Sequence, residues 1–370
     1  METKRNNTAQ EKERRLGIWG KYLSLWVALC IGAGIGLGKA FPQASDILGG
    51  LTVANVSIPV AICLFFMIYP IMVQIDFSQV VKATRTPKPI ITTLVANWVI
   101  KPFTMAFFAW LFIGVVFKGF LSPEIAQEYR AGMILLGVAP CTAMVLMWSY
   151  LAKGNMGHTL VMTAINSLSM VVLYAPLAQF LLGISGIIVP WATIAFSVAI
   201  YICVPLLFGY FTRTQAIKRR GKVWFESKLV PPLRTVSIIA LLITLVVLFT
   251  LQGGIITEFP ASVGIIAIGI FCNILLVFAI TYLVSKPIRL SYEDAAPTAI
   301  IAGSNHFEVA VAVAITVFGI SSGSALATVV GVLTEVPFML FLVWLCTKTR
   351  GFFYQPQLQY ADDGSERISN

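Results

Sequence analysis

A chain of 370 residues is ordinarily long enough for two or three soluble domains, but composition excludes them. Hydrophobic residues make up 58%, charged residues 11%, and mean hydropathy is +0.86, whereas a soluble globule carries roughly 25% charged residues to wet its surface. The charges are clustered and leave long apolar stretches, which marks an all-α polytopic membrane protein and excludes a disordered chain, a secreted disulfide scaffold or a soluble nucleic-acid binder.

A helix crossing a ~30 Å hydrocarbon core needs about 20 apolar residues, and ten such segments are predicted. After a charged tail over 1–21 come spans at 22–38, 54–75, 90–117, 131–152 and 159–182. Then follow 190–211, 230–252, 261–285, 295–319 and 325–347, with a second tail over 348–370. The connections are short, so a single membrane domain is expected. All Lys and Arg except Lys39, Lys101, Lys118 and Arg130 fall on the side that holds both termini. The positive-inside rule makes that side cytoplasmic, in a plasma or bacterial inner membrane. Topology therefore accounts for the net charge of +10, and no nucleic-acid partner is expected. The first seventeen residues are charged, so no cleavable signal is expected. Six cysteines (30, 63, 141, 203, 272 and 346) all fall in spans without a CxxC. Neither a disulfide framework, a zinc site nor a cofactor is indicated.

Ten spans divide into five and five, residues 22–182 and 183–347, and an odd number per half inverts the second half in the membrane. Asn97 in span three corresponds to Asn273 in span eight, and Asn166 in span five to Glu335 in span ten. Spans four and nine are both interrupted, at Gly137-Val-Ala-Pro140-Cys141-Thr142 and at Gly303-Ser304-Asn305-His306-Phe307-Glu308. Paired broken helices in inverted repeats are the architecture of many secondary transporters, whose sites lie at the breaks.

The chemistry follows from the residues at each break. Pro140 suits the first position of a new half-helix, which would put Cys141 in its first turn, where the helix dipole favours thiolate. A thiol is a soft ligand, fitted to a soft metalloid rather than to Na⁺ or Mg²⁺; otherwise Cys141 is a small packing residue. Asn305 is expected to cap the second half-helix, with Glu308 returning the bond of a capping box. An intramembrane carboxylate costs about 2.5–3.5 kcal/mol, so Glu308 also reads as a proton or ion relay. Glu335 is either a second relay or the partner of Lys101. His306 either relays protons or satisfies the backbone at the break. Asn97 and Asn166 either bind a polar substrate or bridge helices.

The stretches Ala139-Pro140-Cys141-Thr-Ala-Met144-Val-Leu-Met-Trp148 and Ser304-Asn-His-Phe-Glu308-Val-Ala-Val-Ala closely resemble the arsenical-resistance arsenite permeases. Ala96-Asn97-Trp98-Val-Ile-Lys-Pro102-Phe103 and Ala325-Leu-Ala-Thr-Val-Val-Gly-Val-Leu-Thr-Glu335-Val-Pro337 support the likeness, in order and at suitable separations along nearly the whole chain. The resemblance implies the bile acid/arsenite/riboflavin transporter superfamily, with ten helices in two inverted five-helix repeats and discontinuous fourth and ninth helices that cross. It also implies export of arsenite, and in some members antimonite, driven by the proton gradient. The family's required cysteine matches Cys141 and its acidic residues match Glu308 and Glu335. Its helix-five asparagine matches Asn166, while His306 stands where many relatives have a second asparagine.

The expected site is thus Cys141 as a transient arsenic ligand, Asn97, Asn166 and Asn305 as hydrogen-bonding groups, and Glu308 and Glu335 as proton-coupling groups. One rival keeps the fold and changes the cargo to an organic anion driven by sodium, for which the breaks offer few hard oxygen ligands. The other is an intramembrane hydrolase using Cys141 and His306, for which no orienting group or oxyanion motif is visible; the protein is expected not to be an enzyme.

Overall fold

A computed structural model of the chain describes residues 23–41, 43, 47, 50–53, 56–76, 87–142, 144–353, 358–360 and 366–368. The N-terminal tail, Lys82, Arg85 and much of the C-terminal tail lie outside the described residues. Each predicted span has a helical counterpart. These are α1 (Leu23–Ala40), α2 (Ile58–Gln74), α3 (Pro87–Val116), then span four as α4 (Pro123–Val138) and α5 (Val145–Leu151), and α6 (Met156–Ile184). Next, α7 opens at Trp191–Val198 and runs on through Ala199–Cys203 into Val204–Trp224. After it come α8 (Val230–Glu258), α9 (Pro260–Ser285), span nine as α10 (Tyr292–Gly303) and α11 (Phe307–Phe318), and α12 (Gly323–Lys348). The only strands among the described residues are short antiparallel pairings, Thr52–Val53 with Val56–Ser57 and Leu358–Tyr360 with Glu366–Ile368. This is an all-α polytopic membrane protein.

The largest boundary difference is at α7. Helix α7 does not stop at 211 but carries the basic run Arg213, Lys218, Arg219 and Arg220 in helical form. Gly221, at φ 81°, breaks it. Glycine suits a conformation that places a Cβ against the neighbouring carbonyl.

The helices sort into two groups. Helices α1, α2, α7 and α8 pack on one another, and α3–α6 pack with α9–α12. The second group holds both breaks. Its tightest approach is between α4 and α12, where a Cβ added to Gly132 would lie 2.3 Å from the Ser324 carbonyl oxygen. Small residues let helix backbones come this close in a membrane.

Helix α3 explains how the site is aimed. Thr93, Asn97, Lys101, Met105, Ala109 and Ile113 are all wholly buried, whereas Ile91, Val95, Val99, Phe103, Phe107 and Trp110 are exposed as a lipid-facing stripe. Steps of four residues turn an α-helix about 40° past a full turn, so five steps drift roughly 200°. Wider i→i+5 turns at Ala96–Ile100 and Trp110–Val116 absorb that drift. They keep one buried and one lipid-facing edge along the whole span.

Candidate functional site

The two breaks meet. Val138 ends α4, Ala139 is extended (φ −92°, ψ 101°), and Pro140 forms an antiparallel bridge with Asn305. The His306 N–H donates to the Ala139 carbonyl at 2.9 Å. Backbone groups freed by each break are thereby paired with the other, as groups out of reach of water require. This crossing corrects two expectations. The second half of span four starts at Val145, so Cys141 lies in the extended stretch and not in the first turn of a half-helix. Proline disfavours helical geometry in the residue before it, and the bridge to Asn305 holds residue 140 extended as well. The dipole argument for a thiolate therefore falls away. Likewise α11 is capped by His306, whose Nδ1 accepts from Val309 N–H at 3.3 Å, and not by Asn305. Asn305 is committed to the bridge, so the helix starts one residue later and no capping box forms.

Every expected site residue belongs to a break or grips one, except Asn97, which is chained to the first break through Asn166. Asn97 Nδ2 donates to Asn166 Oδ1 at 3.2 Å, and Asn166 Nδ2 donates to the Cys141 carbonyl at 3.1 Å. On the other side Glu335 accepts from the Ser304 hydroxyl in a short bond. It also accepts from Asn305 N–H, at 3.2 and 3.3 Å to its two oxygens. An amide from α6 thus grips the first break, and a carboxylate from α12 grips the second.

Lys101 resolves in a third way. Its ammonium donates to the Ser304 carbonyl at 2.9 Å, while Glu335 takes the same residue's hydroxyl. Lysine and glutamate share Ser304 and interact electrostatically through it, without a direct ion pair of 4 Å or less among the described residues.

Glu308 is differently placed. Its Oε2 lies 3.0 Å from His306 Nδ1, and its Oε1 is buried without a partner. Nδ1 serves one neighbour at a time: protonated, it donates to the carboxylate, and unprotonated it accepts from Val309 N–H. Other buried polar atoms without partners lie on the break residues or are chained to them: both polar side-chain atoms of Asn305, Thr142 Oγ1 and, by way of Asn166, Asn97 Oδ1. Orphaned groups of this kind each cost free energy, and they are free to bond a polar group brought to the break. The Cys141 thiol, 2% exposed, lies within electrostatic reach of Glu335, Glu308 and Lys101 and beside the Ser304 hydroxyl. Asn273 is set apart, accepting from Thr104 at 2.6 Å. The groups that sequence reasoning missed are Ser304, as the shared residue, and Thr142. A hydroxyl in an apolar helix carries no signal until its neighbours are known.

The sodium bile acid symporter family matches residues 61–259. A transporter of Synechocystis sp., itself uncharacterised, is 53% identical over 91% of both chains. The arsenical-resistance protein Acr3 of Alkaliphilus metalliredigens is 43% identical over 94% of this chain and 98% of its own. That of Corynebacterium glutamicum is 34% identical over 90% of each. These likenesses bear out the resemblance read from the motifs, and they place the chain among transporters and not enzymes. The chain belongs to the sodium bile acid symporter family, on its arsenical-resistance side.

Proposed function

We propose that the protein exports arsenite, and with it antimonite, from the cytoplasm in exchange for protons. The observation that carries this is a buried thiol at the meeting point of two broken helices, with unpaired amide and carboxyl atoms on the residues of the second break. Neutral arsenous acid condenses with Cys141: the thiol gives up its proton, arsenic gives up a hydroxide, sulfur bonds arsenic and water leaves. The reverse step releases the cargo. One thiol makes a bond weak enough to undo, as transport requires. Asn97, Asn166 and Asn305 supply hydrogen bonds to the remaining hydroxyls.

Glu308 is the proton site, because one of its oxygens is unclaimed and the other lies 3.0 Å from His306 Nδ1. Glu335 enters the coupling through the break it holds, since both its oxygens are already engaged. Exchange follows when the proton and the arsenical favour different conformations. The gripping of one break by Asn166 and of the other by Glu335 supports two inverted five-helix repeats, residues 22–182 and 183–347. The bias of Lys and Arg supports cytoplasmic termini in a cell membrane.

Membership of the sodium bile acid symporter family raises sodium-driven import of an organic anion as the alternative. Everted membrane vesicles decide between them. Arsenite uptake should rise with an acid-inside gradient and vanish with Cys141→Ala at equal expression. Uptake indifferent to pH, or full activity without the thiol, would dismiss arsenite–proton exchange, and sodium-dependent uptake of a labelled bile salt would support the alternative.

A further inference from the structure

We propose that Lys101 is a tethered cation, its ammonium filling the place at the break of span nine that a coupling alkali ion would occupy, so that transport proceeds without sodium. Ser304 follows Gly303, the last residue of half-helix α10, and its backbone is extended (φ −86°, ψ 149°). In transporters with discontinuous helices, unwound carbonyls at such a break coordinate the driving cation. Here that carbonyl already has its cation: Lys101 Nζ donates to it at 2.9 Å. The surrounding set is one of hard oxygens, namely the Ser304 carbonyl, the Ser304 hydroxyl and the Glu335 carboxylate that the hydroxyl meets. Hard oxygens suit a hard cation, yet the charge comes from a side chain. Lys101 is wholly buried, on the inward stripe of α3. A buried ammonium is costly unless it answers a nearby negative charge, and Glu335 is that charge. The pair leaves the crossing electrically balanced before any ion arrives.

Truncating the lysine should therefore empty a cation site and leave Glu335 uncompensated. The test is the melting temperature of the purified full-length protein in sodium chloride and in choline chloride at equal ionic strength. The wild-type protein should melt at the same temperature in both salts. Lys101→Ala should melt lower in choline and recover by a few degrees as sodium is added, saturably, because an ion that binds only the folded state stabilises it by mass action. The double variant Lys101→Ala/Glu335→Gln, with both charges gone, should fold and be indifferent to sodium. A wild-type protein stabilised by sodium over choline, or a folded Lys101→Ala that sodium does not stabilise, would overturn the proposal. If Lys101→Ala gives no folded protein in either salt, the double variant decides, and its failure to fold would overturn charge compensation. These melts need no assumption about cargo. A transport arm, resting on arsenite as substrate, asks for equal wild-type uptake in sodium and choline, and abolition by choline would refute the tethered cation while leaving the arsenite reading intact.

Discussion

Replacing Asn166 by Ala tests whether the amide chain positions the thiol. Asn166 makes two buried hydrogen bonds, accepting from Asn97 at 3.2 Å and donating to the Cys141 carbonyl at 3.1 Å. Alanine removes both and orphans both partners. Polar contacts between membrane helices average ~0.6 and reach ~1.7 kcal/mol, so losing two costs roughly 1–3 kcal/mol. If the lost bonds fix the orientation of residue 141, that cost appears as about a 5- to 150-fold weakening of arsenite affinity. The assay is arsenite uptake into everted vesicles at varied concentration, with Asn273→Ala as control. Asn273 is equally buried but bonds Thr104 and not a break, so its loss should lower the melting temperature and leave affinity alone. Asn97→Ala combined with Asn166→Ala should cost less than the sum of the two, since they share a bond. An Asn166→Ala protein with wild-type affinity would refute the positioning role, and so would additive losses.

Gly132→Ala should be poorly tolerated, because the new methyl would lie 2.3 Å from the Ser324 carbonyl oxygen; overpacking of this kind costs about 1–3 kcal/mol and is read as a fall in melting temperature. At the other side of the molecule Arg213 bonds Asp76 at 2.8 Å and the Gln74 carbonyl at 3.3 Å, and lies 4.9 Å from the Phe225 ring. Asp76→Asn should therefore cost under about 1 kcal/mol, and Arg213→Ala more, because the arginine also loses the carbonyl and the ring. Equal melting temperatures for these two variants would show that the ion pair is the arginine's whole contribution.

The helices were legible because hydrocarbon imposes a length and a polarity that can be read off the chain. The wrong or missing details sit where the backbone leaves the helix. Pro140 announced a break, but periodicity has nothing to say about a stretch that pairs as a β-bridge with residue 305, 165 positions away in sequence. The shift of the cap from Asn305 to His306 has the same cause. Asn is the better capping residue in isolation, and the crossing overrides that preference. Lys101 was conspicuous as a charge within a span, and its nearest candidate partner by charge was Glu335. What decided its contact was the free carbonyl at the end of α10, a group every residue possesses and none advertises. Cys141, Glu308, Glu335 and the asparagines stand out in the sequence because polar and soft groups are costly or rare in such helices.

The central claim is that a thiol and an acid at one crossing exchange an arsenical for a proton. Purified protein in sealed liposomes with an internal pH dye tests it most directly, with an outward arsenite gradient imposed at zero membrane potential. Arsenite leaving through correctly oriented wild-type protein should acidify the lumen, and both Cys141→Ser and Glu308→Gln should leave the internal pH unchanged. Arsenite efflux without proton entry, or acidification undiminished in either variant, would contradict it.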